Sequence, residues 1–202
     1  MNDLIVVGGG AGGISAARAA ARRGARTLLV QEGPIGGECT FTGCVPSKAL
    51  IAAAAGGKTF DEAMRSVHRS IDTIAAGQDD DVFAKEGIEV VHGWATFRAP
   101  TELEVDGHRF EARRFVLATG THPAIPPIDG LDQVDYLTNE TVFDLATQPG
   151  SLAVLGGRSR RLRTGSGVLP AGHEDDGHRG AGAGPARRGA GGLGGHRRGL
   201  CQ

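Results

Sequence analysis

The chain has no apolar run of about eighteen residues or more, which is what a membrane-spanning helix requires, and its 202 residues open directly into a strand-like pattern. Neither a membrane span nor a secretory leader is expected, and a cytoplasmic location follows. Cysteine is scarce, at 3 residues, too few for the disulfide framework of a small secreted protein and better suited to catalytic use. Aromatic residues amount to 4% of the chain, and the formal net charge is -1. These averages conceal two halves. From Arg158 to Gln202 the chain lacks Ile, Phe, Tyr, Trp, Met and Lys altogether. A segment of that composition buries too little apolar surface to offset its ordering entropy, and it is expected to be a low-complexity, disordered tail.

What the first part does contain is chemistry. Cys39 and Cys44 are separated by four residues in the stretch Gly36-Gly37-Glu38-Cys39 to Cys44-Val45-Pro46-Ser47-Lys48. Two thiols at this spacing, at the start of a helix, can close a small-ring disulfide, while the helix amino end stabilises the thiolate that reopens it. Two small buried side chains would fit the same letters. A structural zinc site needs about four ligands and finds no second pair or His cluster here, so no metal is expected.

A second signal lies at the amino end. The apolar run Leu4-Ile5-Val6-Val7 meets Gly8-Gly9-Gly10-Ala11-Gly12-Gly13 and then a helical pattern from Ile14 to Arg23. Gly8, Gly10 and Gly13 fit the dinucleotide fingerprint, with Ala11 at the helix start where a pyrophosphate would sit. Thr27 to Glu32 reads as the second strand, ending in an acid that could accept hydrogen bonds from an adenosine ribose.

With these motifs in order, together with Phe115-Val116-Leu117-Ala118-Thr119-Gly120, roughly the first 157 residues resemble the amino-terminal FAD domain of the pyridine nucleotide-disulfide oxidoreductases. The resemblance implies an α/β Rossmann-like domain with a parallel sheet and a small antiparallel β-flap. It implies that Cys44 forms the charge-transfer contact with the flavin, that Cys39 exchanges with substrate, and that Lys48 lies near the flavin. It also makes Gly37, Cys39, Ala95, Thr119 and Gly120 cofactor-binding candidates, with Ala95 meeting the adenine. The electron donor would be NAD(P)H, the acceptor a small molecule or disulfide, and the family is homodimeric. The family's base, a histidine paired with a glutamate, comes from a carboxyl-terminal domain, and none of the seven histidines here sits in that context.

The other segments fit the same plan. Phe60 to Ile74 reads as an amphipathic helix, Asp79-Asp80-Asp81 as a solvated turn, and Ile88 to Val91 as a strand. Glu102 to Val105 and His108 to Phe110 read as a hairpin about Asp106-Gly107. Pro123, Pro126 and Pro127 lead away from the sheet. Residues 1–150 are thus expected to form the FAD domain and 151–157 the opening of an NAD(P)-binding domain, Leu152 to Gly157. Plausible GC-rich codons for Arg158 to His178, read one base later, complete Gly156-Gly157 into a second fingerprint, so residues 158–202 are expected to be a frameshift product. On this reading the intact protein transfers electrons from NAD(P)H through FAD to a Cys39-Cys44 disulfide, whereas the chain itself is a truncated form without turnover. A non-catalytic FAD-binding module is the alternative. RNA binding through Arg187-Arg188-Gly189 and Arg197-Arg198-Gly199 is disfavoured by the lack of stacking aromatics and by Glu174-Asp175-Asp176.

Overall fold

Leu28, Leu29 and Val30 are consecutive and all essentially buried, so the strand that carries them must be covered on both faces. The structure, a computed structural model, describes residues 1–155. The candidate tail, Gly156-Gly157 and Cys201 lie outside the described residues. Six strands form one sheet: β1 (Asn2–Val7), β2 (Thr27–Gln31), β3 (Ile88–His92), β4 (Ala95–Ala99), β5 (Glu102–Val105) and β6 (His108–Leu117). Their order is β3-β2-β1-β6-β5-β4. The helices are α1 (Ala11–Ala21), α2 (Gly37–Phe41), α3 (Cys44–Ala55), α4 (Phe60–Ala75) and α5 (Asp80–Lys85).

Side-chain alternation along the strands divides the core in two. Val6 and Leu29 point to one face and join Ile14 and Ala17 of α1, Phe83 of α5, Ile35 and Ile88. Ile5, Leu28 and Val30 point to the other and join Leu103, Val105 and Ala112. A third cluster packs α3 against α4 through Leu50, Ala53, Ala63, Met64 and Val67, closed by Val142 and Phe143 from the carboxyl-terminal segment. Each fully buried Leu or Ile of this kind contributes about 1.5–3 kcal/mol.

The parallel sheet and antiparallel flap are not separate pieces. The expected strand His108 to Phe110 and the Phe115 to Leu117 motif run together as β6, whose first part pairs antiparallel with β5 (Val105 with His108, Glu102 with Glu111). Its second part pairs parallel with β1 (Asn2 with Ala112, Val7 with Leu117). The hairpin turn falls at Asp106-Gly107 as expected, with both residues at positive φ. One reading is corrected. Asp80 and Asp81 occupy the first turn of α5, and Asp79 is its cap, where carboxylates complement the helix macrodipole. Asp80 also faces His92 at the end of β3, with Oδ1 3.0 Å from Nε2.

Candidate functional site

The carboxyl ends of four parallel elements are tied into one edge by backbone hydrogen bonds. Gly8 N–H donates to the Val30 carbonyl and Ala118 N–H to the Val7 carbonyl, each at 2.8 Å. Gly93 N–H donates to the Gln31 carbonyl at 3.0 Å, and Gly36 N–H to the Gly9 carbonyl at 2.8 Å. The turn after β1, the segment before α2, the β3–β4 connection and the end of β6 therefore meet at one place. Two glycines are obligatory here. Gly8 has φ 105°, and a β-carbon on it would run into the Ala118 carbonyl and stand 3.0 Å from the Thr119 nitrogen. Gly37 has φ 61°, and its β-carbon would stand 2.7 Å from the Gly10 Cα. Gly13 is buried in α1 directly against the Gly8 carbonyl.

The helices begin in different ways. α4 carries its own cap: Thr59 accepts from Glu62 N–H and the Glu62 carboxylate accepts from Thr59 N–H. By contrast α1, α2 and α3 begin behind Gly10, Gly36 and Gly43, none with a side-chain cap, and the first turns of α1 and α3 hold no acid. Uncapped amino ends with positive dipole character favour an anion.

The two cysteines lie on different helices rather than on one. Cys39 is in α2 and half-buried, and Cys44 is the first residue of α3 and exposed. Neither is in a disulfide. The link between them is tight, since a β-carbon on Gly43 would stand 2.7 Å from the Glu38 carbonyl. The adjacent Cys44 side chain, with burial, pushes the Cys39 thiol above its ordinary value, and the Lys48 charge pulls weakly the other way. Lys48 stands one turn beyond Cys44 and is exposed. Ser47, buried between them, donates through N–H to the Gly43 carbonyl at 3.1 Å.

Of the residues singled out in the sequence, Gly8, Gly10, Gly13, Gly37 and Thr119 are brought into one contact group. Ala11 is the exposed first residue of α1. Thr119 and Gly120 follow β6, both exposed, with Gly120 at φ 76°. Ala95 opens β4 opposite Val105, half-buried at the same end of the sheet. Glu32 lies one residue past β2 and is exposed. The side chain that reaches the glycine turn is Gln31, whose Oε1 accepts from Gly9 N–H. Sequence reasoning passed over it, although strand alternation puts neighbours on opposite sides. It also passed over Gln78 and Asn139, which hold the cysteine segment at Thr40 and Glu38 from distant parts of the chain. Among the described residues, three histidines have other partners: His68 the Phe143 carbonyl, His92 Asp80, and His122 Glu140. A concavity of about 480 Å³ lined by Ile125 to Asp132 and Tyr136 is remote from the thiols in sequence and includes none of these residues.

A parallel sheet with a glycine turn at its carboxyl edge and two adjacent thiols beside it defines a dinucleotide-binding redox domain, of the kind found in flavoprotein disulfide oxidoreductases. The chain belongs to the pyridine nucleotide-disulphide oxidoreductase family, whose sequence model matches residues 2–158. It is 40% identical over 178 residues to a mercuric reductase of Streptomyces lividans, covering 77% of this chain and 38% of that protein. It is 33% identical over 171 residues to a glutathione reductase of Burkholderia cepacia, again covering 77% and 38%. The HOCl-induced flavoprotein disulfide reductase RclA from Escherichia coli has the same fold, with a TM-score of 0.76 at 23% identity over 83% of this chain and 40% of that one. The chain thus spans well under half the length of these relatives. Members of the family depend on FAD and take electrons from NAD(P)H. The residues present fit the ADP half of FAD: the turn at Gly8 and Gly13 leaves no room for β-carbons, and α1 presents an uncapped, acid-free amino end. Among the described residues no helix is long and apolar enough to cross a membrane.

Proposed function

We propose that this chain supplies the FAD-binding and disulfide-bearing part of an oxidoreductase that moves electrons from NAD(P)H through FAD to a Cys39–Cys44 disulfide and on to an acceptor. The observation that carries the reading is the juxtaposition of the two thiols on consecutive helices, α2 and α3, beside the glycine turn. FAD, when bound, supplies two-electron exchange between a nicotinamide and a disulfide. Gly8, Gly10, Ala11 and Gly13 hold its pyrophosphate at the α1 amino end, Glu32 accepts from the ribose, and Ala95 borders the adenine. Gly37, Thr119, Gly120 and Lys48 border the flavin side.

Opening the disulfide takes up two electrons and one proton, breaks the S–S bond, and leaves a thiol and a thiolate. The adjacent Cys44 side chain and burial raise the Cys39 thiol and so favour the proton on that sulfur. Cys39 is then the thiol that exchanges with the acceptor, once a base has taken its proton. Relatives are named for mercuric ion and for glutathione disulfide, both of them centres attacked by a thiolate, and the acceptor here is of that thiol-seeking class.

The test is to mix purified chain with FAD, separate free cofactor by gel filtration, and record absorbance near about 450 nm. Thiol titration before and after oxidation follows. Retained FAD and a loss of two thiols are expected. A chain that retains no FAD and forms no intramolecular disulfide would sink the proposal. In a reduced, FAD-loaded protein, Cys44→Ser should remove any long-wavelength thiolate–flavin absorbance while Cys39→Ser keeps it. The reverse pattern would exchange the roles of the two thiols.

A further inference from the structure

α2 is five residues long, far below the length at which a helix holds itself together, and it has no side-chain cap. Something else must fix the position of Cys39. Thr40, the next residue, is buried, and its Oγ1 donates to Gln78 Oε1 at 3.1 Å. Gln78 ends the 3-10 turn Ala76–Gln78 that continues α4, thirty-eight residues away in the chain. The same amide oxygen lies over Gly36, where φ is 139° and a β-carbon would collide with it. On the other flank Asn139 Nδ2 donates to Glu38 Oε1 at 3.2 Å. Two distant elements thus grip the residues on either side of Cys39.

We infer that Gln78 is a positioning residue for the redox pair: its amide oxygen, acting through the Thr40 hydroxyl, holds α2 so that Cys39 stays against Cys44. The inference rests on the reading of Cys39 and Cys44 as a redox pair. A disulfide tolerates only a narrow range of sulfur and β-carbon positions, so a small rotation of α2 lowers the effective concentration of one thiol at the other. The required group is an acceptor. Gln78→Glu keeps one, whereas Gln78→Leu leaves a buried hydroxyl without a partner.

The experiment uses the full chain in buffers of glutathione and glutathione disulfide. One glutathione disulfide is consumed and two glutathiones are released for each Cys39–Cys44 bond formed. The ratio of disulfide to dithiol gives the effective concentration of the pair. Gln78→Leu and Thr40→Val should each lower it by about tenfold, with the double variant no worse than either single one, since both remove the same bond. Gln78→Glu and Thr40→Ser should restore it. Thr40→Val, which keeps the side-chain shape, carries the test if Gln78→Leu does not fold. An unchanged ratio in folded Gln78→Leu and Thr40→Val, with wild type forming the bond, overturns the positioning role alone. So does an equal loss in Gln78→Glu and Thr40→Ser, which would mean a merely structural contact. A wild-type chain that never forms the disulfide overturns the redox-pair reading and this inference with it.

Discussion

The α-carbons of Gly10 and Gly37 face one another so closely that a β-carbon on Gly37 would stand 2.7 Å from Gly10. The glycine turn and the cysteine segment are therefore locked together at one point. Gly37 is also at φ 61°, where an L side chain is strained. Gly37→Ala should weaken FAD retention by about tenfold or more, because backbone strain of about 1–3 kcal/mol adds to the collision. Fluorescence titration of FAD against the variant and wild type checks it, and unchanged affinity would mean that this contact does not shape the cofactor site.

The Cys44 side chain is the largest cause of the raised Cys39 value. Removing it removes both a hydrogen-bond partner and a negative charge, each of which favours the protonated thiol. In Cys44→Ala the pH at which Cys39 reaches half its maximal alkylation rate should therefore move down. The comparison is Cys39 followed by mass spectrometry in the wild-type chain, and a midpoint that stays or rises contradicts the assignment.

Gln31 and Glu32 are adjacent, yet only Gln31 touches the glycine turn. Gln31→Leu deletes the acceptor for Gly9 N–H and should lower stability by about 1 kcal/mol, besides weakening FAD. Glu32→Gln should leave the urea midpoint in place and weaken FAD by about tenfold, because it loses a charged acceptor for the ribose. If Glu32→Gln binds FAD normally while Gln31→Leu does not, the role at the ribose passes to Gln31.

Thr59 offers a control distant from the site. The capping box it forms with Glu62 serves only the start of α4. Thr59→Ala should lower stability by about 1 kcal/mol in urea unfolding while FAD affinity and the thiol equilibrium stay unchanged. An effect on either would tie α4 to the site more closely than its cap implies.

Much of this protein is legible in local sequence. Glycine at Gly13 is dictated by the Gly8 carbonyl five residues back, and the apolar runs Leu4 to Val7 and Leu28 to Val30 mark strands covered on both faces. The spacing of Cys39 and Cys44 likewise indicates a dithiol without reference to the fold. Asp79 to Asp81 misled because acids suit both a solvated turn and a helix amino end, and which one forms depended on Phe83 finding a place under the sheet. β6 could not be read as one strand, since its halves obey different partners, β5 and β1. Nor could the grip on Cys39 be seen: Gln78 and Asn139 are 38 and 101 residues from the groups they hold, and nothing in their own neighbourhoods marks them. The sequence by itself determined the strand–turn–helix, the dithiol and their order, because those depend on backbone sterics and bond geometry over short spans. Only the tertiary structure decided which distant polar groups meet, because a hydrogen bond is set by the packing of whole elements.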